Sequence, residues 1–193
     1  VPGMYTANPR QVPQARLLRA LEYDEAQEIA AMGAKVLHPR CLAPVREHRI
    51  PLHIRCTERP DAEGTVISAE TPAHAPLVKN VSARKGLTLL SMDTVGMWQQ
   101  VGFLADVFGC FKRHGLSIDL VSTSESNVTV SLDPTANALD PDTIAALLAE
   151  LAPHCQARTI TGCAAVSLVG RNIRALLHRL GPALETFEEQ RVH

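Results

Sequence analysis

The chain has 193 residues, of which 46% are hydrophobic and 20% charged, with a formal net charge of −1, so it can bury a core in one large domain or two small ones. Balanced charge and only 4% aromatic residues argue against a nucleic-acid groove, a base-stacking platform or an anionic membrane as partner. Five scattered cysteines without a Cys-x-x-Cys pair read as free thiols of a reducing cytoplasm, the histidines lack metal-ligand spacing, and no apolar run reaches membrane-spanning length.

The opening Val1-Pro2-Gly3-Met4-Tyr5 has neither an initiator Met nor a signal-peptide pattern, and reads as an excerpt that begins in mid-domain. Pro2-Gly3 and Asn8-Pro9 mark turns. Asp24 is placed to cap a helix over 25–32, which Gly33 stops. Pro39 opens a second helix to about residue 48. Leu52, Ile54 and Cys56 alternate as one face of a strand over 51–56, and 64–67 reads as another. The segment 69–76, with two prolines and small residues, reads as a linker.

After the linker, strands are predicted over 77–83 and 87–92. A helix follows over 102–114, with Leu104, Val107, Phe108 and Phe111 at i, i+3, i+4, i+7, ended by Gly115. Strands over 117–123 and 127–132 flank a short connection at 124–126. Asp140-Pro141 caps and opens a helix with Ile144, Leu147, Leu148 and Leu151 on its apolar side. A strand over 155–160 completes the order βαββαβ, the ferredoxin-like unit: an antiparallel four-stranded sheet with both helices on one face. A strand over 163–169 and helical pieces over 173–180 and 182–190 then begin a second cycle.

Several runs carry a resemblance to a known family. Gly3-Met4-Tyr5-Thr6-Ala7-Asn8-Pro9-Arg10, Tyr23-Asp24-Glu25-Ala26 and Gly33-Ala34-Lys35-Val36-Leu37-His38-Pro39 resemble successive signatures of the aspartate kinases. Gly86-Leu87-Thr88-Leu89-Leu90, the run Gly102-Phe103-Leu104-Ala105-Asp106-Val107-Phe108 and the run from Ser117 to Glu125 resemble that family's ACT module, in the form seen in lysine-sensitive members and in kinases fused to diaminopimelate decarboxylase. The fold class implied is α/β (α+β). The end of an amino-acid-kinase-type domain (1–70) would be followed by a ferredoxin-like ACT domain (77–161) and an incomplete second ACT unit (162–193).

The resemblance implies ATP-dependent phosphorylation of the side-chain carboxylate of L-aspartate, with Mg accompanying ATP in the complete enzyme. It places Tyr5, Arg10 and Lys35 at ATP-contacting positions, which suits the chemistry of a phosphate-gripping guanidinium and ammonium beside an aromatic ring. Asn8 stands where many members have Asp. The family's amino-terminal catalytic motif is absent from the 193 residues, so no catalytic residue is assigned and the chain alone is expected to lack useful kinase activity.

The resemblance also implies an effector site at Met97, Gln100, Gly102, Phe103, Leu104, Ser117, Ile118, Asp119, Thr123, Ser124 and Glu125. Peptide N–H groups near Gly102 suit the effector's carboxylate, Asp119 its amine, and Glu125 the ε-ammonium of lysine. Gln100 replaces a small hydroxyl residue of the lysine-sensitive members, which keeps threonine open as effector. A homodimer through ACT modules is expected, with no metal site, nucleic acid or membrane. The alternative is a stand-alone ACT regulatory module without catalysis.

Overall fold

The computed structural model describes residues 2–33, 36–70, 77–94, 97, 100–171, 173 and 180–191. The chain divides into two compact units, Val1–Ala83 with Val166–His193, and Arg84–Ala165. The division falls within two long strands, β4 (Val78–Asp93) and β7 (Gln156–Gly170).

The first unit holds a three-stranded sheet in the order β1-β3-β2, formed by β1 (Ala20–Glu22), β2 (Leu52–Ile54) and β3 (Thr65–Ser68). Strand β1 runs parallel to β3 with Leu21 opposite Ile67, and β2 is antiparallel to β3. Helix α1 (Tyr23–Ala31) buries Ala26, Ile29 and Ala30, the i, i+3, i+4 stripe of an amphipathic helix. Its N-cap is Glu22 rather than Asp24. The Glu25 carboxylate accepts the Glu22 N–H at 2.9 Å and the Glu22 side chain answers in a reciprocal capping box, so the cap forms two residues earlier than the sequence suggests. A turn of 3-10 helix (Pro39–Cys41) leads into α2 (Leu42–Glu47). Met4, Leu18, Leu21, Tyr23, Ile29, Leu42, Ile67 and Val169 form the core.

The second unit has the predicted βαββαβ order. It comprises the β4 residues from Arg84, α3 (Phe103–Arg113), β5 (Val121–Thr123), β6 (Asn127–Leu132), α4 (Pro141–Leu151) and the β7 residues to Ala165. Sheet order is β5-β6-β4-β7, the ferredoxin-like arrangement. Leu90 and Met92 lie opposite Val130 and Val128. These side chains join Phe103, Val107, Cys110 and Phe111 of α3 and Leu147 and Leu151 of α4 in one core, with both helices covering the same sheet face. Asp140 caps α4 as expected, accepting the Thr143 N–H at 2.9 Å, with Pro141 in the first turn.

Three strand expectations change. The strands read at 77–83 and 87–92 are one element, because Gly86 takes φ +77° without a Cβ clash and the strand passes through it. Gly162, at φ +73°, does the same for the pair read at 155–160 and 163–169. The strand expected over 117–123 shrinks to Val121–Thr123, since Asn137 Oδ1 and Ser131 Oγ accept the N–H groups of Ser117 and Leu120. Most of the helical piece read at 173–180 lies outside the described residues. The last piece is α5 (Gly181–Glu189).

Candidate functional site

A cavity of about 490 Å³ opens in the second unit at the start of α3 and is lined by Met97, Gln100, Gly102, Phe103, Leu104, Ala105, Thr123, Ser124 and Glu125. Gly102 sits at the N-cap of α3 with φ +89°, a conformation that favours glycine, and no side chain caps the helix. The first N–H groups of α3 therefore have no intrahelical partner and, among the described residues, no side-chain cap, an arrangement suited to a carboxylate. Phe103 turns into the core, whereas Leu104 stays 40% exposed on the cavity wall. Opposite, the β5–β6 connection is set by Ser124, whose N–H donates to the Asn127 carbonyl at 2.8 Å while its Oγ accepts the Asn127 N–H at 3.1 Å. That turn presents Glu125 to the cavity, the one carboxylate among the described lining residues.

The remaining candidates, Ser117, Ile118 and Asp119, do not line this cavity. They follow the carboxyl end of α3, one helix length of about 16 Å from Gly102. Asp119 and Thr123 are four residue steps apart, about 13 Å of extended chain. Ile118 packs against the core. Ser117 is held by Asn137, which accepts its N–H at 2.6 Å and donates to its carbonyl at 3.0 Å. Asp119 Oδ2 accepts from Arg84 Nη1 at 2.9 Å, and the same Nη1 lies 3.3 Å from Asp133 Oδ2.

Asp133 is buried, which disfavours its charged form. Its Oδ1 accepts the N–H and hydroxyl of Thr135 at 2.8 and 2.7 Å, and together with Arg84 these bonds outweigh the burial and hold its pKa below the ordinary carboxylate value. Neither Arg84 nor Asp133 was singled out from the sequence, since nothing in either residue's neighbourhood signals a partner 35 or 49 positions away. Ala105 was also missed; as the residue after the Gly102-Phe103-Leu104 run it lies in the same first helical turn.

In the first unit, Tyr5 and Arg10 belong to a turn-rich segment anchored to its sheet. Met4 N–H donates to Thr65 Oγ1 at 2.8 Å, and that hydroxyl donates to the Leu18 carbonyl at 2.7 Å. A Cβ on Gly3 would collide with Thr65 Oγ1, so glycine is required for this close approach. Asn80 Nδ2 donates to the Tyr5 carbonyl at 2.9 Å, and Val81 N–H donates to the Thr6 carbonyl at 2.8 Å. Asn8 Oδ1 accepts the Arg10 N–H at 3.0 Å, an Asx turn that leaves the Arg10 residue exposed. Lys35 lies outside the described residues. A second cavity, about 260 Å³, lies beside the carboxyl ends of β1 and β3 and is lined by Glu22, Tyr23, Asp24, Arg46, Arg49, Ser68 and Ala69. Among the described residues no group of three His, Cys, Asp or Glu side chains is placed to hold a metal ion.

Residues 1–56 match the amino acid kinase family. The lysine-sensitive aspartokinase 3 of Escherichia coli (strain K12) is 38% identical over 175 residues, which cover 90% of this chain and 39% of that protein. The crystal structure of E. coli aspartokinase III in complex with lysine and aspartate (T-state) superposes with a TM-score of 0.77 at 39% identity, covering 88% of this chain and 38% of that one. The same enzyme in complex with aspartate and ADP (R-state) gives a TM-score of 0.80 at 36% identity over 94% of this chain and 42% of that one. The chain thus spans about two fifths of the length of these relatives.

Proposed function

The chain belongs to the aspartokinase family, and from that premise we propose that its second unit senses a free amino acid, L-lysine, as the feedback signal for a kinase that phosphorylates L-aspartate. The observation that carries this reading is the cavity at the start of α3, which gathers all the effector candidates except Ser117, Ile118 and Asp119. The effector's carboxylate sits on the uncapped N–H groups of Phe103 and Leu104, where backbone donors and the helix dipole favour an anion. Its aliphatic stem lies along Met97 and Leu104. Glu125 takes the ε-ammonium. The E. coli relative whose structure contains lysine supports lysine over threonine.

The α-ammonium needs a second carboxylate. Asp119 of the same chain lies before β5, at the far end of α3 from the cavity, so the site is completed by a second copy placed with its Asp119 against the first copy's α3 start. This is the physical ground for a homodimer: two half-sites at opposite ends of α3 become two whole sites across a two-fold axis. Lysine then favours the state in which the halves meet, and it can inhibit only in so far as that state differs in kinase activity.

For the whole protein we propose transfer of the γ-phosphate of ATP to the side-chain carboxylate of L-aspartate. The match of residues 1–56 to the amino acid kinase family and the ADP-bound relative support a nucleotide site. Arg10 and Lys35 would grip phosphate oxygens, with the Tyr5 ring against the nucleoside. The Mg²⁺ that accompanies ATP would neutralise phosphate charge; no ligand for it is assigned in this chain. The kinase-family match also disfavours a stand-alone sensor.

Calorimetric titration of the 193-residue chain with L-lysine tests the sensing proposal. Saturable binding, weakened at least tenfold by Glu125→Ala, is expected. Absence of lysine binding to the dimeric chain would refute it.

A further inference from the structure

Asp119 is already engaged by a cation from its own chain. Arg84, in β4, donates from Nη1 to Asp119 Oδ2 at 2.9 Å while the same nitrogen lies 3.3 Å from Asp133 Oδ2, and all three side chains are partly buried. The two carboxylates are not equivalent. Asp133 is secured independently by the N–H and hydroxyl of Thr135. Asp119 has no such bonds: among the described residues its Oδ1 accepts no hydrogen bond, and Arg84 is its one charged partner. Asp119 is therefore the member of the cluster that can take a further ammonium, and any ammonium that binds there shares the carboxylate with a guanidinium.

We propose that Arg84 is a built-in competitor for the α-ammonium of the sensed amino acid: by occupying Asp119 it weakens ligand binding and so sets the concentration to which the site responds. This rests on the reading of Asp119 as the carboxylate that completes the effector site. An ammonium on Oδ1 would stand a few ångströms from the Arg84 guanidinium. At such separations, in a partly solvated environment, like charges repel, and the Arg84–Asp119 bond loses part of its strength when the carboxylate is shared. Asp133 keeps Arg84 in place when Asp119 is shared, so the competitor stays beside the bound ligand. Arg84 is a specificity-setting residue here; it touches Asp119 and need not touch the ligand.

The test is calorimetric titration of the full chain and its Arg84→Gln and Arg84→Lys variants with two probes. L-Lysine carries the α-ammonium; 6-aminohexanoic acid has the same carboxylate and terminal amine but lacks it. Arg84→Gln is expected to tighten L-lysine about five- to tenfold, to leave 6-aminohexanoic acid unchanged, and to lose its effect in an Asp119→Asn background. Arg84→Lys, which keeps the charge, is expected to bind as the parent does, and thermal melts of each variant check folding. A general loosening of the unit would move both probes together. Unchanged or weaker L-lysine binding by a folded Arg84→Gln chain, with parent binding intact, overturns the proposal. If parent and Arg84→Gln both fail to bind either probe, the sensing function itself fails and this inference falls with it.

Discussion

Lys79 Nζ and Glu25 Oε2 face each other at 3.7 Å in the interior of the first unit, each side chain only 3% exposed. Glu25 is the hub of a larger cluster. Its Oε2 also accepts the Glu22 N–H, its Oε1 lies 3.5 Å from Arg171 Nε without a hydrogen bond, and Arg171 Nη1 donates to Glu22 Oε1 at 2.8 Å. Two cations from segments far apart in sequence thus converge on one carboxylate at the start of α1. Removing that carboxylate strands the Lys79 ammonium and leaves Arg171 with Glu22 alone, and leaving a charge unpaired in the interior costs about 3–5 kcal/mol. Glu25→Ala should therefore destabilise the first unit by that amount. Lys79→Met, which leaves Glu25 with Arg171, should cost clearly less. Urea titrations followed by far-UV circular dichroism compare the two; equal losses would contradict the hub.

Arg49 occupies the left-handed region at φ 52° just beyond α2. Ile50 N–H donates to the Val45 carbonyl and Arg49 N–H to the Arg46 carbonyl, the paired bonds of a Schellman motif, in which this position is usually glycine or asparagine. A non-glycine residue there carries about 1 kcal/mol of steric penalty. Arg49→Gly should raise the unfolding free energy by about 1 kcal/mol, read as a higher urea midpoint at unchanged slope, whereas Arg49→Val should lower it.

Three carboxyls of the second unit have pKa values lowered on folding. Burial raises that of Asp133, but its hydrogen bonds to Thr135 and Arg84 prevail; that of Asp140 falls through its bonds to Thr143, and that of Glu150 chiefly through Arg113. Groups with depressed folded values contribute stability that is complete above the ordinary carboxyl range and is lost as pH falls through the folded values. The second unit should keep a constant melting temperature from neutrality down to about pH 5 and lose stability progressively below about pH 4. Glu150→Gln should flatten part of that acid limb, because Glu150 joins the ends of α3 and α4 through Arg113 and His114.

The thiols differ in accessibility. Cys110 and Cys155 are buried, and burial pushes the Cys155 thiol up from its ordinary value, whereas Cys41 is exposed. Brief alkylation of the folded chain should label Cys41 first and leave Cys110 and Cys155 protected until denaturant is added. Peptide mass mapping reads the order directly, and early labelling of Cys155 would contradict the packing of the α4 end.

How far the sequence foretold this structure depends on the range of the interaction. The βαββαβ order was legible because period-2 and period-3.6 patterns are local, as in Val128-Thr129-Val130 and the Asp140-Pro141 cap. Of the α3 stripe read in sequence, Val107 and Phe111 are buried and Phe108 packs against the core, and only Leu104 is misplaced. Phe103, Val107, Cys110 and Phe111 face the core, and Leu104 lines the cavity instead; the first turn carries apolar residues on two faces, and only the position of the Gly102 cap decides between them. Gly86 and Gly162 looked like strand ends because glycine usually punctuates, yet it also lets a strand continue through a positive φ. The cavity residues were found through family-like runs. The Arg84–Asp119 and Lys79–Glu25 pairs left no trace in sequence, because they join residues 35 and 54 positions apart whose partnership exists only in the fold.

The central claim is that one amino-acid site is built from the α3 start of one copy and Asp119 of another. Subunit mixing tests it most directly. Glu125→Ala and Asp119→Asn chains, each binding L-lysine weakly when alone, should regain parent-like affinity at a fraction of the sites when denatured together and refolded, because the mixed dimer holds one site with both carboxylates intact. If the mixture binds no better than the average of the two separate variants, the two carboxylates do not meet across copies and the account is wrong.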